Sequence, residues 1–206
     1  MKKLCALICV ITLGLFLGCK DKEEIKESKY LAILKAVEYL SNSQVPSQEF
    51  QEHILDDAKA LISRSESVGY KLISPQELQD KSDEFIIIAS LPRGIYNLGL
   101  IPHAKFFEFA QSPSLNDNGS DWNWTLDAKA RAQEEFINLL GEDKQAKIVF
   151  YDSGDATLSP VGSAHLGLIW AKHLGYENLY RLIGGFGAWK ESGLPTTTQV
   201  PECCQM

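Results

Sequence analysis

The 206-residue chain is predicted to be an α/β protein in which helices flank a parallel sheet, with a helical extension at the N-terminal end. Short, continuous apolar runs, such as residues 84–89 and 147–151, are typical of strands that are covered on both faces. Segments with apolar residues at helical spacing stand between these runs. The polar stretch 152–158 follows one such strand and precedes a helix, which is where α/β proteins commonly place their chemistry.

The N-terminal segment has the pattern of a bacterial signal peptide. Residues 1–18 contain two lysines and then an uncharged apolar run over 4–17, and Cys19 follows Gly18 directly. The run is short for a bilayer span, and its end resembles a lipoprotein processing site. We therefore expect cleavage before Cys19 and lipidation of that residue, which predicts a protein anchored to a membrane of the cell envelope. An uncleaved anchor and an ordinary secretory signal are the alternatives.

Two further segments precede the sheet. Residues 19–28 are mostly charged, which predicts a flexible tether. Residues 29–66 contain two sets of apolar side chains at helical spacing, with Ser47 as the expected cap of the second set. We expect two amphipathic helices that pack on each other and on the following domain, or that receive a partner.

From Tyr70 onward the chain is predicted to alternate strands and helices. Ser74 and Pro75 have the residue types of a helix cap and a first helical position. The predicted strands are 70–73, 84–89, 105–109, 147–151 and 178–182, and the predicted helices begin at Ser74, cover 127–140 and cover 159–174.

A polar stretch over residues 111–125 predicts a long surface loop. It contains Trp122 and Trp124, and two interpretations remain open for these side chains. They pin the loop onto the domain, or they form a recognition element.

The segment LGYENLYRLIGGFGAWKESGLP, over residues 174–195, resembles the closing half of a rhodanese-like domain. The segment GLIPHA, over residues 99–104, resembles a second motif of that family. The resemblance covers residues 70–195 and implies a rhodanese-like parallel sheet flanked by helices. Residues 196–206 are then expected to be a flexible tail.

The resemblance also implies a position for the site. In active family members the central strand ends in a cysteine, and the amides of the following loop bind its thiolate and persulfide. That position is Asp152 here, and no cysteine lies between Cys19 and Cys203. The resemblance therefore implies a vestigial active-site loop without a catalytic residue, made of Asp152, Ser153, Gly154, Asp155, Ala156 and Thr157.

The carboxylate of Asp152 is expected to turn into this loop and to accept hydrogen bonds from backbone N–H groups between Gly154 and Leu158. In the alternative arrangement the side chain faces solvent. Two histidines are candidates for the surrounding pocket. His103 replaces a glycine of the family motif and is expected at the mouth of the site or on the surface, while His165 lies on the inward stripe of its helix, where a structural role is favoured over catalysis.

The formal net charge of −7 argues against nucleic acid as a partner. The chain is expected to be a non-catalytic binding or regulatory module whose partner is an envelope protein or a small ligand, without a cofactor or a metal. One alternative is a thiosulfate-type sulfurtransferase that uses Cys203 or Cys204. A metal site made of Asp152, Asp155 and His165 is a weaker alternative, because these residues lack a diagnostic spacing.

Overall fold

The structure is a computed structural model that describes residues 28–42, 50–92, 94–113, 122–154 and 162–199. The predicted signal peptide, Cys19, the tether before Ser28, the Ser47 cap and the cysteines of the tail lie outside the described residues. No helix within these ranges is long and apolar enough to cross a membrane.

Within the described residues, five parallel strands form a sheet in the order β1-β5-β4-β2-β3, which confirms the predicted α/β class. Arg181 of β5 pairs with Phe150 of β4, and Tyr151 of β4 pairs with Ala89 of β2. The carboxyl ends of these three strands therefore lie side by side at one edge. The strands are β1 (Lys71–Ile73), β2 (Phe85–Ala89), β3 (Lys105–Phe106), β4 (Lys147–Tyr151) and β5 (Leu179–Leu182).

Helices cover both faces of the sheet. On one face, Phe136 and several residues of the helix after β4 share a core cluster with Phe150. On the other face, Phe186 and Trp189 share a second cluster with Tyr151. The helices are α1 (Lys29–Ser41), α2 (Glu52–Val68), α3 (Pro75–Asp80), α4 (Trp124–Asp127), α5 (Gln133–Leu140), α6 (Ser163–His173) and α7 (Gly185–Glu191).

The N-terminal extension is present as the helix pair α1 and α2. Ser28 caps α1, because its Oγ accepts a hydrogen bond of 3.1 Å from the Tyr30 amide. Ile33 and Val37 of α1 pack with Ala58 and Leu61 of α2 in a third core cluster, which Ile183 joins from the end of β5. The pair is thus built onto the same body as the sheet, as the burial of its apolar stripes requires.

The prediction of a single helix over residues 127–140 is wrong. The chain instead forms α4 and α5, separated by Lys129 and Ala130, whose φ angles of 50° and 63° lie in the left-handed region. The Trp124 indole fixes this turn by donating a hydrogen bond of 2.6 Å to the Arg131 carbonyl. Trp122 stacks on His173 at 4.0 Å between ring centroids, so both tryptophans hold this segment against the domain.

One element boundary also differs from the sequence prediction. In the described residues the helix after β4 covers Ser163–His173, and Gly162 before it has non-helical angles of φ 158° and ψ 163°. The predicted start at Ser159 lies outside the described residues. Strand β3 ends at Phe106 rather than at residue 109, since the chain turns away from the sheet and the Ala110 amide donates to the Asp127 carbonyl at 2.8 Å.

Candidate functional site

The site is organised around the carboxylate of Asp152, the first residue after β4. This side chain is buried, with 4% of its residue surface exposed. Its Oδ1 accepts a hydrogen bond of 3.0 Å from the Gly154 amide, and its Oδ2 accepts one of 3.2 Å from Nη2 of Arg181. Asp152 therefore turns into the start of the loop. It accepts a hydrogen bond from the Gly154 amide, which is the first of the donors predicted between Gly154 and Leu158.

Arg181 is a site residue that the sequence reasoning did not single out. It lies in β5, next to β4, and its side chain is 1% exposed, so Arg181 and Asp152 form a buried ion pair. The sequence did contain a signal for Arg181, namely a charged residue within an apolar strand, between Tyr180 and Leu182. A fully buried charge requires a partner, so this residue pointed to a buried ion pair. What the sequence could not supply was the order of the strands.

The loop backbone is held by the first turn of α7. The amides of Phe186 and Gly187 donate to the carbonyls of Asp152 and Ser153 at 2.8 and 3.0 Å. The approach is close enough that a Cβ atom on Gly185 would lie 2.6 Å from the Asp152 carbonyl oxygen. Only a glycine fits there, and its φ of 54° also suits glycine. The Gly-Gly turn thus brings α7 close enough for its amides to fix the backbone carbonyls of Asp152 and Ser153.

A buried pair of polar rings lies beside the ion pair. The hydroxyl of Tyr70 and Nδ1 of His165 are 3.0 Å apart, and both residues are almost fully buried. Burial, with help from the positive charges of Arg181 and Arg64, lowers the pKa of His165 to about 3. Burial raises the pKa of Tyr70, and Arg181 opposes this effect. His165 is therefore uncharged near neutral pH. It lies in the protein interior, as its position on the inward-facing side of its helix predicted.

The remaining predicted site residues are less informative. Asp155, Ala156 and Thr157 lie outside the described residues. His103 is exposed on a turn before β3, with a left-handed φ of 64°, so its place at the mouth of the site stays a prediction. Within the described residues, no group of three or more His, Cys, Asp or Glu side chains is suited to hold a metal ion.

A cleft of about 390 Å³ opens beside Ser153, between α1, α7 and the segment around Ile95. Tyr30 of the N-terminal extension forms part of its wall. The Tyr30 ring lies so close to α7 that a Cβ atom on Gly187 would be 2.8 Å from three of its atoms. The hydroxyl of Ser28 donates a hydrogen bond to Glu191 at the end of α7. The cleft is therefore built jointly by the extension and by the sheet domain.

The central group of the site is the carboxylate of Asp152, and both of its oxygens accept hydrogen bonds. A family model described as a rhodanese-like domain matches residues 74–192 of this chain. The chain belongs to the rhodanese-like family. The match includes Asp152, Arg181 and α7, whereas α1 and α2 precede it. No curated protein matches the chain.

Several solved structures are similar to this chain at low identity. A rhodanese-related protein from Thermoplasma volcanium is 12% identical, with a TM-score of 0.44 over 63% of this chain and 100% of that chain. A 3-mercaptopyruvate sulfotransferase from Escherichia coli is 22% identical, with a TM-score of 0.45 over 65% of this chain and 52% of that chain. A possible tyrosine phosphatase of unknown function from Rhodopseudomonas palustris is 16% identical, with a TM-score of 0.41 over 75% and 100%.

Proposed function

We propose that this rhodanese-like chain is a non-catalytic binding or regulatory module, held at a membrane of the bacterial cell envelope by a lipid on Cys19. The non-catalytic part is supported by Asp152, whose buried carboxylate accepts hydrogen bonds from the Gly154 amide and from Arg181. The motif resemblance implies that Asp152 stands at the position where active family members carry their cysteine. The carboxylate then occupies the space next to the loop amides that a sulfur atom would otherwise take.

The chemistry of Asp152 opposes sulfur transfer. This reaction needs a nucleophile that accepts a sulfane sulfur and releases it again, and a carboxylate does neither. The negative charge of Asp152 is already paired with Arg181, so the pair offers no uncompensated positive charge to an anionic donor such as thiosulfate. The sequence between Cys19 and Cys203 contains no thiol that replaces the missing nucleophile.

We expect the full-length protein to produce no thiocyanate above background from thiosulfate and cyanide, because Asp152 is not a sulfur acceptor. The measurement is a colorimetric thiocyanate assay, run beside an active rhodanese as a positive control. Activity that persists in a Cys203→Ser/Cys204→Ser variant would contradict the proposal. Activity that disappears in this variant would favour the tail-thiol sulfurtransferase instead.

The anchor is supported by the sequence pattern that ends at Gly18 and Cys19. We expect the protein purified from its native host to begin at a Cys19 that carries two or three acyl chains. Intact-mass analysis measures this directly, with a Cys19→Ser variant as the unmodified control. A mature protein that retains Met1, or that begins at another residue without a lipid, would contradict the anchor.

A further inference from the structure

An exposed turn over residues 94–99, the rim turn, lies at the open side of the cleft. Its two ends are Gly94 and Gly99, whose φ angles of 93° and 128° lie in the left-handed region, and it contains a 3-10 helix over Tyr96–Leu98. A Cβ atom on Gly94 would meet no other described atom within 4 Å. Ile95 and Leu98 of this turn are 40% and 77% exposed. The rim turn therefore presents aliphatic side chains to the surroundings.

The apolar surface of the rim turn continues into the cleft. Ile95 and Leu98 line the cleft together with Leu91 and Phe186, and these last two side chains are buried. A single exposed leucine is ordinary on a protein surface, whereas two exposed aliphatic side chains above a buried apolar floor form a patch. Within the described residues, the large apolar side chains that are exposed are Ile95, Leu98, Trp122 and Leu126.

The segment that leads to the proposed anchor reaches the protein at this patch. The Ser28 hydroxyl donates a hydrogen bond to Glu191, and both Glu191 and Tyr30 line the cleft with the rim turn. Nine residues, 19–27, separate Ser28 from the proposed anchor at Cys19. This segment is too short to carry the rim turn far from the bilayer, whatever its conformation.

The other exposed leucine lies near the opposite end of α6. This helix begins beside the cleft, where the Ser163 hydroxyl donates a hydrogen bond to the carbonyl of Ser90, the residue immediately before the cleft lining. Trp170, in the last turn of the helix, donates a hydrogen bond of 2.8 Å to Asp127, the neighbour of Leu126. Seven residue steps separate the two contacts, or about 10 Å along the helix axis. Leu126 is thus an exposed leucine away from the rim turn.

We propose that the rim turn is a membrane-contact surface, in which Ile95 and Leu98 pack against the bilayer at which Cys19 is anchored. The inference rests on the proposed function, because the anchor brings the rim turn to the membrane. The charged side chains of the described cleft lining are one ammonium, Lys190, and one carboxylate, Glu191. They leave no net charge there, so apolar burial at the interface between head groups and acyl chains provides the attraction.

A protein partner fits this patch less well. A stable protein interface involves about 20–30 residues on each side. The exposed large apolar side chains of the described cleft lining are Ile95 and Leu98. Two aliphatic side chains suffice for a membrane contact, because the anchor turns it into an intramolecular event with a high effective concentration.

The test compares the membrane depth of two leucines. The full-length chain is placed in phosphatidylcholine nanodiscs, with a fluorescent amino acid at Leu98 in one variant and at Leu126 in the other. Phosphatidylcholine that carries a nitroxide on its acyl chain quenches the fluorophore by contact. Quenching is expected to be roughly threefold stronger at Leu98, since the rim turn meets the bilayer and α4 does not. Quenching at Leu98 that is no stronger than at Leu126 would overturn the inference.

A matched pair of variants separates apolar contact from mere proximity. With the fluorophore at Ile95, Leu98→Asn is expected to reduce the quenching about threefold, because the polar side chain removes part of the apolar attraction. Leu126→Asn alters a leucine that is 62% exposed and does not line the cleft, so the quenching stays unchanged. Equal effects of the two variants, or no effect of Leu98→Asn, would contradict the inference.

Failure of this inference is distinguishable from failure of the proposed function. Intact mass and thiocyanate production are measured on the same preparations. A chain that keeps the apolar run over residues 4–17 and has no lipid on Cys19 still enters the nanodisc through that run. Strong quenching at Leu98 in such a chain would overturn the lipid anchor but not the contact. A lipidated, inactive protein with equal quenching at Leu98 and Leu126 would overturn the contact alone.

Discussion

Replacing Arg181 by methionine is expected to lower the free energy of unfolding by about 3–5 kcal/mol. The variant leaves the Asp152 carboxylate buried at 5% side-chain exposure without its charged partner, 3.2 Å away in the parent. Removing one member of a buried ion pair costs more than the pair itself contributes, because the remaining charge keeps its desolvation penalty. Urea denaturation followed by tryptophan fluorescence measures the change.

A double-mutant cycle separates the pair from the loss of packing. Asp152→Asn keeps an acceptor for the Gly154 amide and removes the charge, so Asp152→Asn/Arg181→Met is expected to recover about 1–2 kcal/mol relative to Arg181→Met. Lys81→Met is the matched surface control, since the Lys81–Glu77 pair is half exposed at 49% on each side. An Arg181→Met variant as stable as Lys81→Met would show that the ion pair does not hold the loop.

The second large effect is a loss of stability in acid that depends on His165. Its pKa is lowered to about 3 in the folded protein, from an ordinary value of 6.5. The unfolded chain therefore binds a proton between these values while the folded protein does not. Stability is full above about pH 6.5, falls as the pH drops towards 3, and does not fall further from this cause below the folded pKa. The loss over the whole window is roughly 3–5 kcal/mol.

The charged and titratable groups around His165 come from separate elements, namely Tyr70, Arg64 of α2 and Arg181 of β5. His165→Gln removes the titration and keeps a hydrogen-bond acceptor for the Tyr70 hydroxyl. We expect this variant to lose about 2–3 kcal/mol less than the parent between about pH 7 and about pH 4.5. The exposed His53→Gln variant is the control. Parallel pH profiles for the parent and His165→Gln would contradict the prediction.

Much of the fold followed from local pattern. The continuous apolar runs of β2 and β4 and the Ser74 cap before α3 predict elements that the structure contains, because burial on both sheet faces and capping are short-range requirements. The Gly184-Gly185 pair lies within the segment that carries the family resemblance, and the structure shows why glycine is needed at the second position, because a Cβ atom on Gly185 would lie 2.6 Å from the Asp152 carbonyl oxygen.

The rest depended on contacts between distant segments. Asp152 and Arg181 are 29 residues apart and meet only because β5 lies beside β4. The break between α4 and α5 follows from two residues in left-handed conformation, Lys129 and Ala130, neither of which is a glycine. The contact of Tyr30 with Gly187 joins the extension to α7, and helical spacing alone does not identify such a partner.

The contact between Ser28 and Glu191 places the start of α1 at the rim of the cleft. Nine peptide units separate Cys19 from Ser28, and at their greatest extension they span roughly 30 Å. If Cys19 carried the proposed lipid, the mouth of the cleft would be confined to a layer of about that thickness above the bilayer. A binding partner held at the same membrane would then meet the cleft at an effective concentration set by the length of this tether, not by its concentration in the bulk solution.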